Sequence, residues 1–140
     1  MKVGTDSFIL SPSVLVEVAP GAELTIGNNV SLRRFTTISV RERVTIGDDA
    51  LIAEMVTIRD HDDAIVPGVL YRTSGFVSAA VEIRRNVRIG NKVTITAGAT
   101  IGENAIVAAN AVVTRDLPAN SISAGVPAKP IRSVGREVAT

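Results

Sequence analysis

The chain predicts an all-β fold, a parallel β-helix wound from six-residue repeats, and three observations carry that prediction. Ile83, Ile89, Ile95, Ile101, Val107 and Val113 recur every six positions. The same register stands upstream as Ile26, Leu32 and Ile38, and again as Ile46, Ile52 and Ile58. Four positions after these apolar residues comes a second, small one: Val30, Thr36, Val56, Val87, Val93, Ala99, Ala105 or Ala111. A strand alternates with a period of two and a helix with about 3.6, so a period of six fits neither alone and marks stacked hexapeptide coils.

Each element follows from that period. Three hexapeptide faces close one triangular coil, and coils stack at about the 4.8 Å strand spacing, so the inward ladder forms one continuous core. The small residue fits where the coil turns a corner. Gly27, Gly47, Gly90 and Gly102 follow inward residues, where the corner is expected to need positive φ, and Asn28, Asn29, Asn91 and Asn104 suit the same turns. Residues 1–25 read as an irregular capping coil, with Phe8, Val14 and Pro20 carrying the register back from Ile26. Residues 26–58 form a first stack. Its step from Ile38 to Ile46 is eight, which predicts a bulge or longer corner at Arg41, Glu42 and Arg43. Residues 59–80 break the period with Asp60-His61-Asp62-Asp63, Pro67, Gly68 and Gly75, and read as a long protruding loop. A loop of that length within a compact domain marks function or disorder. Residues 81–114 form the second and strongest stack. Pro118, Gly125, Pro127 and Pro130 predict that residues 115–130 leave the last coil as extended chain, and 131–140 read as a short terminal helix.

Composition agrees with a single domain of 140 residues. Hydrophobic residues make up 46% and aromatic ones only 3%, as a core of stacked aliphatics requires. There is no Cys, which removes a disulfide framework and any thiolate metal site. A net charge of +1 argues against a general nucleic-acid or membrane-surface partner. With no long apolar run and no signal-like start, the expected location is cytoplasmic. Asn29-Val30-Ser31 matches a glycosylation sequon but falls inside a repeat. No phosphate loop or nucleophile elbow is present.

The blocks Val87-Arg88-Ile89-Gly90-Asn91-Lys92-Val93-Thr94-Ile95, Val112-Val113-Thr114-Arg115-Asp116-Leu117-Pro118 and Ala124-Gly125-Val126-Pro127-Ala128-Lys129-Pro130-Ile131-Arg132 carry a resemblance. They resemble the hexapeptide-repeat acyltransferases, and among them the maltose, galactoside and capsular-sugar O-acetyltransferases. The likeness extends over about residues 20–133. It implies a left-handed helix, where general crossover rules favour the opposite hand. It implies a homotrimer with active sites between neighbouring prisms, and acetyl-coenzyme A as co-substrate for transfer to a hydroxyl or an amine.

The same resemblance assigns roles. His61, the lone histidine, stands where relatives place their general base, and imidazole titrates near neutrality. Asp60, Asp62 and Asp63 flank it, and one carboxylate could fix its tautomer, although a solvated acidic turn explains the same residues. The Asn91 corner matches a backbone donor near the thioester. Ala109 matches a pantetheine contact, and Thr114 and Arg115 the pair beside that arm and the nucleotide. Lys129 and Arg132 match basic residues near the coenzyme 3′-phosphate. Corner packing and ordinary surface charge are the plainer explanations of these positions. No metal is expected, since one His with adjacent carboxylates lacks the separated ligands of a zinc site. The related γ-type carbonic anhydrases need three histidines and are excluded. Arg33, Arg34, Arg41, Arg43, Arg84, Arg85 and Arg88 either attract an anionic ligand or keep the faces solvated. Two positions depart from the sugar branch: His61 follows its strand two residues early, and Phe35 replaces a substrate-binding Asn. The first reading is therefore an O-acetyltransferase acting on a sugar or polysaccharide precursor. An N-acetyltransferase on a nucleotide sugar or small amine is the second, and a non-catalytic β-helix scaffold the third.

Overall fold

The computed structural model describes residues 1–9 and 13–135. The chain winds a three-sided parallel β-helix of five turns and part of a sixth. The first face stacks Lys2–Val3, Glu23–Ile26, Arg43–Ile46, Val81–Ile83 and Thr100–Ile101. The second stacks Phe8–Ile9, Ser31–Leu32, Leu51–Ile52, Arg88–Ile89, Ile106–Val107 and Ser121–Ala124. The third stacks Leu15–Val18, Thr37–Val40, Thr57–Arg59, Thr94–Ile95 and Val112–Val113. The register joins like to like: Ile46 pairs Ile83 and Ile83 pairs Ile101, while Ile58 pairs Ile95 and Ile95 pairs Val113. All six-step apolar residues and their small companions lie in one buried core, as the period predicts.

The glycines have a different reason from the one expected. Gly27, Gly47, Gly90 and Gly102 are not at positive φ. A Cβ on Gly47 would sit 2.7 Å from the Arg85 backbone nitrogen, and one on Gly90 at 2.7 Å from that of Ala109. These glycines let consecutive coils touch. Positive φ falls two residues later, at Asn29, Asp49, Lys92 and Asn104.

The step of eight is a longer pair of strands and no bulge: Thr37–Val40 and Arg43–Ile46 each run four residues around a short Arg41-Glu42 turn, adding Val40 and Val44 to the core. In the first coil the register differs from expectation. Ile9 pairs Leu32 and Val16 pairs Ile38, so Phe8 and Val14 are out of phase and exposed Pro20 lies in a turn.

Residues 59–80 hold structure of their own. His61–Asp63 pairs antiparallel with Phe76–Ser78, and a 3₁₀ turn spans Tyr71–Thr73. The tail does not leave the helix as extended chain. Leu117 bridges Ile101, Ser121–Ala124 continues the second face, and Lys129–Ser133 folds back antiparallel onto it. Residues 131–133 are thus strand and not helix, because pairing with 121–124 satisfies a backbone that Pro130 excludes from a helix interior. Residues 136–140 of the expected helix lie outside the described residues.

Candidate active site

Two separate edges of the prism hold the candidate residues. At the edge joining the third face to the first, the strand Thr57–Arg59 ends and Asp60 turns inward with no exposed surface. Its carboxylate is filled on all sides. Oδ1 accepts the Arg41 N–H at 2.9 Å and lies 3.0 Å from His61 Nδ1. Oδ2 accepts the Glu42 and Arg43 N–H groups at 2.7 and 2.8 Å. Four contacts match the four lone-pair sites of a carboxylate. Burial alone would raise the pKa of Asp60, but the bonds from Arg41, His61, Glu42 and Arg43 together outweigh it and hold the carboxyl below its ordinary range.

An ionised Asp60 accepts only, so His61 Nδ1 donates to it, and in the neutral ring the free lone pair is on Nε2. His61 is 5% exposed. Its ring meets Phe76 edge to face, with centroids 5.6 Å apart and planes at 84°. The Arg41 guanidinium lies 3.6 Å from the Phe76 ring centre. Glu42 ties down the far side of the hairpin, accepting from Ser78 Oγ and from the Ala80 N–H, each at 3.0 Å. Asp62 and Asp63 are exposed, and the Asp62 carboxylate accepts the Asp63 N–H at 3.2 Å. The sequence thus brings Asp60 to His61 and leaves Asp62 facing solvent. Glu42 and Phe76 were missed as parts of this edge; the step of eight at Arg41–Arg43, one coil before a long insert, is the signal that marked the place.

The second edge joins the second face to the third. Arg33, Leu51, Glu54, Arg88, Asn91 and Ala109 line a groove beside it. The backbone N–H groups of Asn91 and Ala109 donate to nothing among the described residues and are free for a ligand. Asn91 Oδ1 accepts the Glu54 N–H at 3.3 Å, which fixes the corner. Arg33 lies 4.0 Å from Glu54, whereas Arg88 forms no ion pair among the described residues. Thr114 and Arg115 follow the last strand of the third face, and Lys129 and Arg132 stand on the antiparallel tail strand, all exposed. His61 is not in the groove. The His61 corner and the Asn91–Ala109 groove lie at opposite ends of the third face within one chain, and Thr114 and Arg115 fall at the His61 end. Among the described residues no group of three or more His, Cys, Asp or Glu side chains is placed to hold a metal ion. No helix among them is long and apolar enough to cross a membrane.

Known proteins resemble this chain in sequence and fold. The pattern described as bacterial transferase hexapeptide (six repeats) matches residues 80–115. A putative acetyltransferase of Saccharomyces cerevisiae is 36% identical over 137 residues, covering 97% of this chain and 68% of its own. The chain belongs to the hexapeptide-repeat acyltransferase family. The galactoside O-acetyltransferase of Escherichia coli, another relative, is 36% identical over 132 residues, which span 94% of this chain and 63% of that one. The chain therefore spans less than two thirds of that relative's length. A galactoside acetyltransferase solved in complex with coenzyme A superposes with a TM-score of 0.85 at 35% identity, covering 96% of this chain and 65% of the other. As a member of that family, the chain has the left-handed β-helix fold that its resemblance implied.

Proposed function

We propose that this chain transfers an acetyl group from acetyl-coenzyme A to a hydroxyl of a sugar or polysaccharide precursor, with His61 as general base. The observation that carries the reading is the Asp60–His61 pair. Asp60 is ionised, immobile and bonded to Nδ1, so Nε2 is held as the proton acceptor. In the reaction Nε2 takes the acceptor proton as the oxygen attacks the thioester carbonyl. The C–S bond then breaks, and the imidazolium returns the proton to the departing thiolate. Asp60 supports that cation without itself taking the proton.

The groove fits the co-substrate. Unused N–H groups at Asn91 and Ala109 suit pantetheine amides and the developing oxyanion. Lys129 and Arg132 on the tail strand that pairs with the second face supply cations for phosphates, and Thr114 and Arg115 would act from the far end of the third face. Because base and groove occupy different edges, the site closes only where His61 of one copy faces the groove of the next, which calls for a homotrimer. The exposed Phe35, where the sugar branch has a hydrogen-bonding Asn, favours an amine or a partly apolar acceptor as a second reading.

The test is His61→Ala. Acyl transfer is expected to fall by roughly 10²–10⁴-fold, in kcat more than in coenzyme A affinity. Near wild-type turnover in a folded variant would remove His61 from the mechanism.

A further inference from the structure

Along the edge between the first and second faces, positive φ falls on Asp6, Asn29, Asp49, Asn86, Asn104 and Asn120. All are Asn or Asp, the side-chain-bearing residues that accept this conformation most readily. Their side chains also bond along the edge: Asn29 Nδ2 donates to Asp49 Oδ1, and Asn86 Nδ2 to Asn104 Oδ1, both at 2.9 Å.

The next edge, between the second and third faces, breaks the rule. There positive φ falls on Phe35 (62°), Met55 (58°) and Lys92 (60°) before Asn110 (65°) restores it. The Met55 N–H donates to the Arg34 carbonyl and the Lys92 N–H to the Glu54 carbonyl, so these residues stand above one another on consecutive coils. Phe35 is 61% and Met55 49% exposed. Two bulky apolar side chains thus hold the most demanding backbone positions and gain little burial there. Neither backbone preference nor core packing explains them, and strained exposed positions of this kind gather at ligand sites. Both sit beside Glu54 and Asn91, which also line the groove, so the apolar pair continues that groove across the edge.

We infer that Phe35 and Met55 form a platform for an aryl or alkyl group of the acyl acceptor. They select acceptors that carry such a group next to the hydroxyl or amine to be acylated. The inference rests on the acyltransferase reading above. An aromatic ring gains from stacking on Phe35 and from the Met55 thioether, whereas a bare sugar finds no hydrogen-bond partner in either side chain.

The chain has two methionines, Met1 and Met55, so methyl-labelled methionine gives an isolated probe of the platform. Wild-type protein is first titrated with coenzyme A. In the saturated protein, phenyl β-galactoside and phenethylamine are then compared with methyl β-galactoside and ethylamine. At least one phenyl compound is expected to shift the Met55 methyl resonance while its small counterpart does not. Phe35→Asn should weaken that binding about tenfold or more, the scale of one lost large apolar contact. Its coenzyme A affinity should be unchanged and its thermal midpoint equal or higher, since Asn suits positive φ. An unmoved Met55 methyl with both phenyl compounds overturns the platform. So does a smaller sedimenting species for Phe35→Asn, which would make this a contact between copies. Wild-type protein that does not bind coenzyme A overturns the acyltransferase reading itself, and the platform with it.

Discussion

Asp60 joins three backbone N–H groups of one coil to the histidine of the next turn, so it is both a structural plug and a positioning residue. Asp60→Ala leaves those donors unpaired in a closed corner and should cost about 3 kcal/mol or more, read by urea unfolding. Its carboxyl is held below the ordinary value, so its contribution is complete above the unfolded pKa and is lost as pH falls through the lower folded value. Wild-type stability should therefore decline on acidification below about pH 4, and Asp60→Asn should flatten that decline. Thr36 offers a neutral comparison. Its buried Oγ1 donates to the Ala53 carbonyl and accepts the Val56 N–H. Thr36→Val keeps the shape but strands both backbone partners, at about 1–3 kcal/mol in the same assay. The sequence made His61 legible as a lone imidazole among carboxylates. Which Asp reaches it was not legible, because the answer depends on where the strand begins: with His61 opening a paired strand, Asp60 falls inward and Asp62 outward.

The repeats themselves were readable because each inward residue must meet its like one coil away, and the six-step period states that requirement directly. The glycines after them were misread, since both a positive φ and a close approach demand the same residue and only the position of the next coil separates the two. Gly47→Ala decides between them experimentally. Its Cβ would meet backbone, which cannot rotate aside, so the substitution should destabilise by about 1–3 kcal/mol, with a lowered thermal midpoint as the check. The tail was misread for a related reason. Pro and Gly in 115–130 do interrupt the period, yet pairing between Ser121–Ala124 and Lys129–Ser133 is long-range and leaves no periodic mark. The hairpin in 59–80 escaped notice likewise: its strands are three residues each and separated by a twelve-residue tip at 64–75.

At the scale of the molecule, the reaction proposed above requires assembly, because His61 is separated from the Asn91–Ala109 groove within one chain. Sedimentation at micromolar concentration should give three times the 14.7 kDa chain mass, and a monomer would leave the base without its groove. Mixing His61→Ala chains with chains altered at Lys129 and Arg132 should restore some activity, because one intact edge from each can meet. The double change Lys129→Ala with Arg132→Ala, taken alone, should weaken coenzyme A binding about tenfold to a hundredfold by calorimetry, the scale of two lost phosphate contacts. The insert at 60–80 bears on how such a molecule can change. Its two ends are fastened side by side: the Ala79 N–H donates to the Asp60 carbonyl, and Glu42 grips Ser78 and Ala80. The coil after it resumes in register, with Val81 beside Val44. Chain length between those fastenings is therefore a free variable, since lengthening a loop whose ends stay fixed adds only a slowly growing entropy. Residues 64–75 can be shortened, lengthened or replaced without rewinding the prism. A lineage could change the length and composition of this one segment while the rest of the spiral stays as it is.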